Sequence, residues 1–221
     1  MKVSLIIFTL NEIDGMRAIM PEIKKEWYDE LIIVDGGSTD GTIEYAKEHG
    51  YPIFVQKEKG AGAAFTESVE RATGDAIIIF SPDGNSAPEA IPRLVEKMKE
   101  GYDMVIASRR TGGARSYDDD FLTAFGNRMF TALTNILFGA KYTDTLVMFR
   151  IFRKELVEKL GIKTKSPAWG TMLCIRCARK KLKVADIPAD EPPRLGGKRK
   201  MRPFVNGSYE LGMIIKELFA R

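Results

Sequence analysis

Three carboxylates in this chain stand at or within three residues of the ends of apolar runs. Glu12 comes after Val3-Ser4-Leu5-Ile6-Ile7-Phe8-Thr9, Asp35 closes Leu31-Ile32-Ile33-Val34, and Asp83 follows Ala76-Ile77-Ile78-Ile79-Phe80. Carboxylates accept hydrogen bonds and hold hard cations such as Mg2+ and Mn2+ through oxygen. Each sits in turn-forming company: Thr9-Leu10-Asn11, Gly36-Gly37-Ser38, and Ser81-Pro82 with Gly84-Asn85. Pro82-Asp83-Gly84 also has a purely conformational reading, as a turn. A second group of residues is cationic. Arg176, Arg179, Lys180, Lys181 and Lys183, then Arg194, Lys198, Arg199, Lys200 and Arg202, make the last third basic in a chain of net charge +4. These are either a solvated helix face with a flexible arm, or a contact surface for phosphate or an anionic membrane, where Gly196-Gly197 permits close backbone approach. Nothing resembles a nucleic-acid module, so no nucleic-acid partner is expected.

Elements must carry these groups to one place. Short apolar runs without strict alternation read as buried parallel strands. Helical patterns lie between them at Ile13 to Glu26, Thr42 to His49, Ala63 to Ala72 and Glu89 to Glu100, the last opened by Ser86-Ala87-Pro88. Strand and helix repeated four times predict an α/β fold, a doubly wound, mostly parallel sheet with helices on both faces. Ligands of such sheets bind outside the carboxyl ends of the strands, where Glu12, Asp35 and Asp83 lie. Asp103 to Ser108 adds a strand. Arg109 to Asp120 reads as a mobile polar loop, Leu122 to Phe138 as a helix, Val147 to Arg153 as a returning strand and Val184 to Pro188 as an edge strand. Leu122, Phe125, Met129, Phe130, Leu133, Ile136 and Leu137 form a helical stripe that core packing explains, with a lipid-facing groove as the rival. Phe204 to Phe219 closes the chain with Tyr209, Met213, Ile214 and Leu218 on one face, to dock on the domain or lie on a membrane.

A chain of 221 residues, 44% hydrophobic, can form one core, and residues 1–221 are expected to be a single domain. It shows no run of 18 apolar residues and no signal-peptide pattern, so a cytoplasmic protein is expected, with any membrane contact peripheral. Cys174 and Cys177 form a C-x-x-C within a helical segment. With the only histidine, His49, far off in sequence, ordinary packing explains them better than zinc. His49 ends a helix before Gly50, where an imidazole suits the last turn.

The ordered succession of motifs resembles one family. Thr9-Leu10-Asn11-Glu12, Val34 through Thr42, Lys59-Gly60-Ala61-Gly62, Ala72-Thr73-Gly74-Asp75, Asp83 with Pro88-Glu89, Ala107-Ser108-Arg109, Thr143-Asp144, Phe149-Arg150 and Arg194 through Lys200 are similar to the family 2 glycosyltransferases with the GT-A fold, and among them to the polyprenyl-phosphate (dolichol-phosphate) sugar synthases. The resemblance implies transfer of a hexose from a nucleoside-diphosphate sugar to a polyprenyl phosphate, with Mg2+ or Mn2+ on the diphosphate. Residues 1–108 would be the nucleotide-binding half, and 109–221 the acceptor-binding half with the basic arm and C-terminal helix. It implies metal binding by Asp83 with Asn85, nucleotide binding by Thr9, Asn11, Glu12, Asp35, Gly60, Gly62, Arg194 and Lys198, and catalytic roles for Asp83, Asp144 and Arg109. Asp35 would accept a hydrogen bond from the base, and the arm would close over the diphosphate.

The chain departs from the family at three places. Ser81 replaces the first Asp of the metal motif, Val147-Met148 replaces a Ser-Gly pair, and further acidic residues near Trp169-Gly170-Thr171 are absent. A lipid phosphate is already anionic and needs no general base, so these departures weigh more against hydroxyl acceptors than against phosphate acceptors. A soluble or glycan acceptor, and a non-catalytic nucleotide-sugar-binding protein, remain the alternatives.

Overall fold

The computed structural model describes residues 1–196 and 202–220. Seven strands form one sheet in the order β3-β2-β1-β4-β6-β5-β7. Strands β1 (Val3–Thr9), β2 (Glu30–Asp35), β3 (Ile53–Val55) and β4 (Ala76–Phe80) run parallel. β6 (Arg150–Arg153) returns antiparallel between β4 and β5 (Met104–Ser108), and β7 (Val184–Pro188) is the parallel edge beyond β5. Side chains alternate between two buried layers. Leu5, Ile7, Ile78 and Phe80 join one, while Ile6, Ile77 and Ile79 join the other, so these strands carry unbroken apolar runs. In register, Thr9 stands opposite Asp35 and Ile7 opposite Phe80. The loops bearing Glu12, Asp35 and Asp83 therefore leave the sheet at a common edge.

Helices α1 (Ile13–Ile19), α2 (Thr42–Glu48), α3 (Ala61–Arg71) and α4 (Ala90–Lys99) connect these strands. The predicted helix over 13–26 stops at Ile19 and gives way to two short 3-10 turns at Met20–Glu22 and Lys25–Trp27. Pro21 has no N–H to continue the ladder. Ser86 does not cap α4, since Glu89 holds the cap position and makes no side-chain capping bond. The segment 109–120, expected to be a loose loop, is pinned by polar contacts: Arg110 to Asp119 at 2.5 Å, Asn85 to Asp118 at 3.0 Å, and Tyr117 N–H to Glu191 C=O at 2.9 Å.

Helices α5 (Phe121–Phe138), α7 (Trp169–Arg179) and α8 (Pro203–Phe219) pack against one another, and α6 (Glu155–Lys159) is a short helix after β6. The core-packing expectation for α5 is overturned. Phe130 is buried and Leu133 half-buried, but Leu122, Phe125, Met129, Ile136 and Leu137 are 38–78% exposed. The buried side is instead polar: Thr123, Asn127, Thr131 and Thr134. Asn127 Nδ2 donates to Asp119 at 3.2 Å, and Thr131 shares a hydrogen bond with Thr145 at 3.1 Å. In α8, Met213, Ile214 and Glu217 face inward, whereas Tyr209 and Leu218 are exposed. Arg176 clasps Glu217 at 2.6 Å, tying α8 to α7. Cys174 and Cys177 are buried free thiols, and burial pushes the Cys174 thiol up to about 11, far from reactive. His49 rests its Nδ1 on the Tyr45 carbonyl at the end of α2.

Candidate active site

The loop after β1 and the loop after β2 are laced together. Asn11 takes a left-handed conformation, φ 51°, and its N–H donates to Ser38 Oγ while its Oδ1 accepts from Thr39 N–H. Asp35 is fully buried. Its Oδ1 accepts from the Gly37 and Ser38 N–H groups at 2.8 and 2.7 Å, and its Oδ2 accepts from the Thr9 and Ser38 hydroxyls at 2.8 and 2.6 Å. A carboxylate has about four acceptor positions, and all are used here. The expected contact from Asp35 to a base thus meets a carboxylate already committed to shaping its own loop. Asp40 likewise caps α1 through the Ile13 N–H at 3.0 Å and braces Thr42 at the start of α2.

Gly60 precedes α3 with φ 106°, a conformation that favours glycine. Gly62 is needed for protein packing. A Cβ there would lie 2.3 Å from the Ser166 carbonyl oxygen and 2.5 Å from the Lys165 carbonyl carbon, so the close approach foreseen for a ligand is made by the chain's own backbone.

Asp83 leads from β4 into a cavity of about 560 Å³. At one end stand Ser81, Asp83, Asn85, Arg109 and Arg194; the walls are apolar, from Leu122, Phe125, Met129, Phe130, Met148, Phe204 and Leu211. Arg194 links this cavity to the nucleotide-side loops, its Nη2 lying 2.9 Å from Asp83 Oδ2 and its Nη1 3.6 Å from Glu12 Oε1. The Leu195 N–H donates to the Asp83 carbonyl at 3.0 Å, and Gly84 and Gly196 give the arm room against Leu195 and Asp14. Arg194 Nε and Nη1 are buried and make no hydrogen bond among the described residues, two donors suited to an anion. Lys198 lies outside the described residues.

Two expected catalytic groups are paired with each other. Arg109 holds Asp144 through Nε at 2.7 Å and Nη2 at 3.1 Å, and reaches Glu191 through Nη1 at 2.9 Å. Burial alone would raise the Asp144 carboxyl, but the Arg109 guanidinium outweighs it and holds the group below the usual carboxylate range. Asp144 is fully buried and does not line the cavity; Arg109 does, with its charge already matched. This departs from the expectation of a phosphate-handling arginine beside a catalytic acid. The pair is a buried brace between the turn after β5 and the loop before β6.

Two acids that sequence reasoning passed over do reach the cavity. Glu191 is raised by burial, against the opposing pull of Arg109. Glu210, on α8, is also raised by burial, opposed by Thr171 and Arg150, and its Oε2 makes no hydrogen bond among the described residues. The signal available for Glu210 was its spacing from Met213, Ile214 and Glu217, which places it on the inward face.

For a hard cation, the oxygens at hand are the Asp83 carboxylate and Asn85 Oδ1, the latter buried with no hydrogen-bond partner among the described residues while Nδ2 donates to Asp118. No cluster of three or more His, Cys, Asp or Glu suited to a metal occurs among the described residues. A metal resting on one or two protein oxygens plus substrate phosphates and water fits this donor set.

The family model for Glycosyl transferase family 2 matches residues 4–161, well over half the chain. The chain belongs to that family. Among relatives of this glycosyltransferase, a dolichyl-phosphate hexose transferase of Haloferax volcanii is 27% identical over 96% of this chain and 92% of its own length. A dolichol-phosphate mannosyltransferase of Pyrococcus furiosus is 29% identical over 91% of this chain, which spans 60% of that protein. The fold is also that of glucosyl-3-phosphoglycerate synthase from Mycobacterium tuberculosis, solved in complex with Mn2+, UDP and phosphoglyceric acid, with TM-score 0.75, 19% identity, and coverage of 100% of this chain and 79% of that one. The sheet and these likenesses make this family 2 enzyme a GT-A glycosyltransferase.

Proposed function

We propose that this glycosyltransferase moves a hexose from a nucleoside-diphosphate sugar to a polyprenyl phosphate, with inversion at the anomeric carbon. The observation that carries this reading is one cavity with a polar, cation-bearing end at Asp83, Asn85 and Arg194 and apolar walls from α5 and α8, a shape matched to a phosphate on a hydrocarbon tail. Residues 1–108 would hold the nucleotide, with Thr9, Asn11 and Glu12 forming its loop and Asp35 shaping that loop. Residues 109–221 would hold the acceptor. Dolichyl-phosphate transferases among the relatives point the same way.

An acceptor phosphate oxygen attacks the anomeric carbon as the bond from that carbon to the diphosphate breaks, and the nucleoside diphosphate leaves with the electron pair. Charge gathers on the leaving group, and stabilising it is the main catalytic task. Asp83 and Asn85 would hold Mg2+ or Mn2+, which supplies positive charge to the diphosphate. Arg194 adds its Nε and Nη1 donors, which make no hydrogen bond among the described residues, to the same anion. The acceptor is anionic at neutral pH, so no side chain needs to remove a proton. The lipid acceptor would place the enzyme at a membrane surface; no helix among the described residues is long and apolar enough to cross a membrane.

Glu210 favours a second reading, a hydroxyl acceptor on a soluble molecule or glycan. A carboxyl raised by burial that lines the cavity, with one oxygen making no hydrogen bond among the described residues, is suited to take a hydroxyl proton. One experiment separates the two. Labelled nucleotide sugars, Mg2+ or Mn2+ and polyprenyl phosphate are incubated with the protein, and products are partitioned between water and organic solvent. Organic-phase label supports the lipid acceptor; label appearing only on water-soluble acceptors, or no transfer with any common donor, overturns it.

A further inference from the structure

We infer that the outer faces of α5 and α8 form one surface that docks this enzyme in the plane of an anionic lipid bilayer, with the cavity mouth turned toward the acyl chains. The inference deepens the lipid-acceptor reading and rests on it for the choice of partner. Three observations support it, beginning with the inversion of α5. Its polar residues Thr123, Asn127, Thr131 and Thr134 point inward while Phe121, at 89% exposed, and Ile136, at 78%, point out. Burial within this chain does not account for such an arrangement, because Leu122, Phe125, Ile136 and Leu137 stay 42–78% exposed and Phe130 is the stripe residue that is buried. On α8, Phe204 and Phe219 are 82% and 78% exposed, and the two helices pack side by side. The exposed apolar patch thus spans two helices of 18 and 17 residues, and contiguous patches of this kind mark interaction sites.

Charge decides the partner. The ionisable side chains of these helices are Arg128 on α5 and Glu210, Lys216 and Glu217 on α8, and the tyrosine is neutral. Glu217 is buried against Arg176 and Glu210 lies in the cavity wall, so the charges that face outward, Arg128 and Lys216, are both positive. An apolar face with a cationic fringe is the pattern of helices lying in a membrane interface. Within the two helices themselves, a second copy of the chain would bring no outward-facing acid to meet those cations, the exposed Asp120 standing at the cap before Phe121. The third observation is continuity. Leu122, Phe125, Met129, Phe204 and Leu211 are exposed on this face and also line the cavity that reaches Asp83, so a lipid could pass from the surface to the polar end without crossing water.

The test is co-sedimentation of the purified chain with vesicles of phosphatidylcholine alone or mixed with phosphatidylglycerol, alongside light scattering for oligomeric state. Wild type should bind, more tightly to the anionic vesicles. Phe121→Ser with Ile136→Ser and Phe219→Ser, none of which lines the cavity, should lower the bound fraction roughly tenfold or more while leaving the circular dichroism spectrum and turnover of a short-chain, water-soluble polyprenyl phosphate unchanged. Arg128→Gln with Lys216→Gln should remove only the anionic preference, roughly fivefold per charge. No vesicle binding by the wild type, or a dimer that the serine variant dissolves, overturns the inference. Vesicle binding without any lipid-linked product would sink the lipid-acceptor reading and leave the docking face standing. Lipid-linked product in detergent without vesicle binding would do the reverse.

Discussion

Arg194 Nη2 lies 2.9 Å from Asp83 Oδ2, so a guanidinium stands where the chain's best candidate metal-binding carboxylate would meet a cation. The same side chain reaches Glu12 through Nη1 at 3.6 Å, and its Nε and Nη1 make no hydrogen bond among the described residues, which makes it both a substitute for the cation and a ready partner for a diphosphate. Charged hydrogen bonds of this kind contribute about 1.5–3 kcal/mol. Arg194→Gln should therefore strengthen Mn2+ binding in the absence of nucleotide by on the order of tenfold, and weaken binding of nucleoside diphosphates. Calorimetry on the wild type and the variant checks both signs, and unchanged Mn2+ affinity would show that Arg194 and the metal do not share Asp83.

Asp83→Ala should abolish metal-dependent donor binding and leave the fold intact. Its carboxylate lies beyond the end of β4, and the backbone bond from Leu195 to the Asp83 carbonyl survives the substitution. A thermal-shift panel of nucleotide sugars with and without Mn2+ gives the readout, since a ligand that binds the native state raises its stability. A metal-dependent shift that persists in the variant would move the metal site elsewhere.

Asp35→Ala should damage the fold and the nucleotide site together. Removing the buried carboxylate deprives two backbone N–H groups and two hydroxyls of their acceptor in a partly buried loop, a loss on the order of 3 kcal/mol. The expected result is a lower melting temperature with weakened nucleotide affinity. A variant of normal stability that loses only nucleotide binding would instead restore the direct base contact.

The Arg109–Asp144 pair predicts a specific acid sensitivity. Asp144 has a folded pKa below its unfolded value, so its contribution to stability is present above the unfolded value, near 4, and is lost as pH falls through the folded one. Stability measured by urea melts should fall below about pH 4, and Asp144→Asn should flatten that fall. At neutral pH the variant should be less stable by about 3–5 kcal/mol, because Arg109 would remain buried with its charge only partly matched. A wild-type acid profile retained in Asp144→Asn would place the sensitivity elsewhere.

Glu210 carries the opposite sign. Its folded pKa is raised by burial, so ionisation disfavours the native state as pH rises from about 4 toward the folded value. Glu210→Gln should stabilise the protein near neutral pH and have little effect below pH 4. Its effect on turnover then separates the acceptor classes: unchanged with polyprenyl phosphate, and reduced on the order of 100-fold if a hydroxyl is the nucleophile.

Much of this protein could be read from its residues in order. Unbroken runs such as Ala76-Ile77-Ile78-Ile79-Phe80 require a strand buried on both faces, and helical patterns between them require a parallel, doubly wound sheet, so the ligand edge follows from chain direction alone. The order and spacing of short motifs carried the family. Which side of a helix faces the protein, and which charges meet, are relations between segments far apart in sequence, and only the tertiary structure decided them. The α5 stripe looks like a core face until the polar partners of Asn127 and Thr131 are in place, because amphipathicity reports that two faces differ and not which one is covered. Arg109, Asp144 and Arg194 read as free functional groups until their mates are known. Asp144 is 35 residues from Arg109, and Arg194 is over a hundred from Asp83, yet a low-dielectric interior brings such charges together because leaving either one buried alone is far costlier.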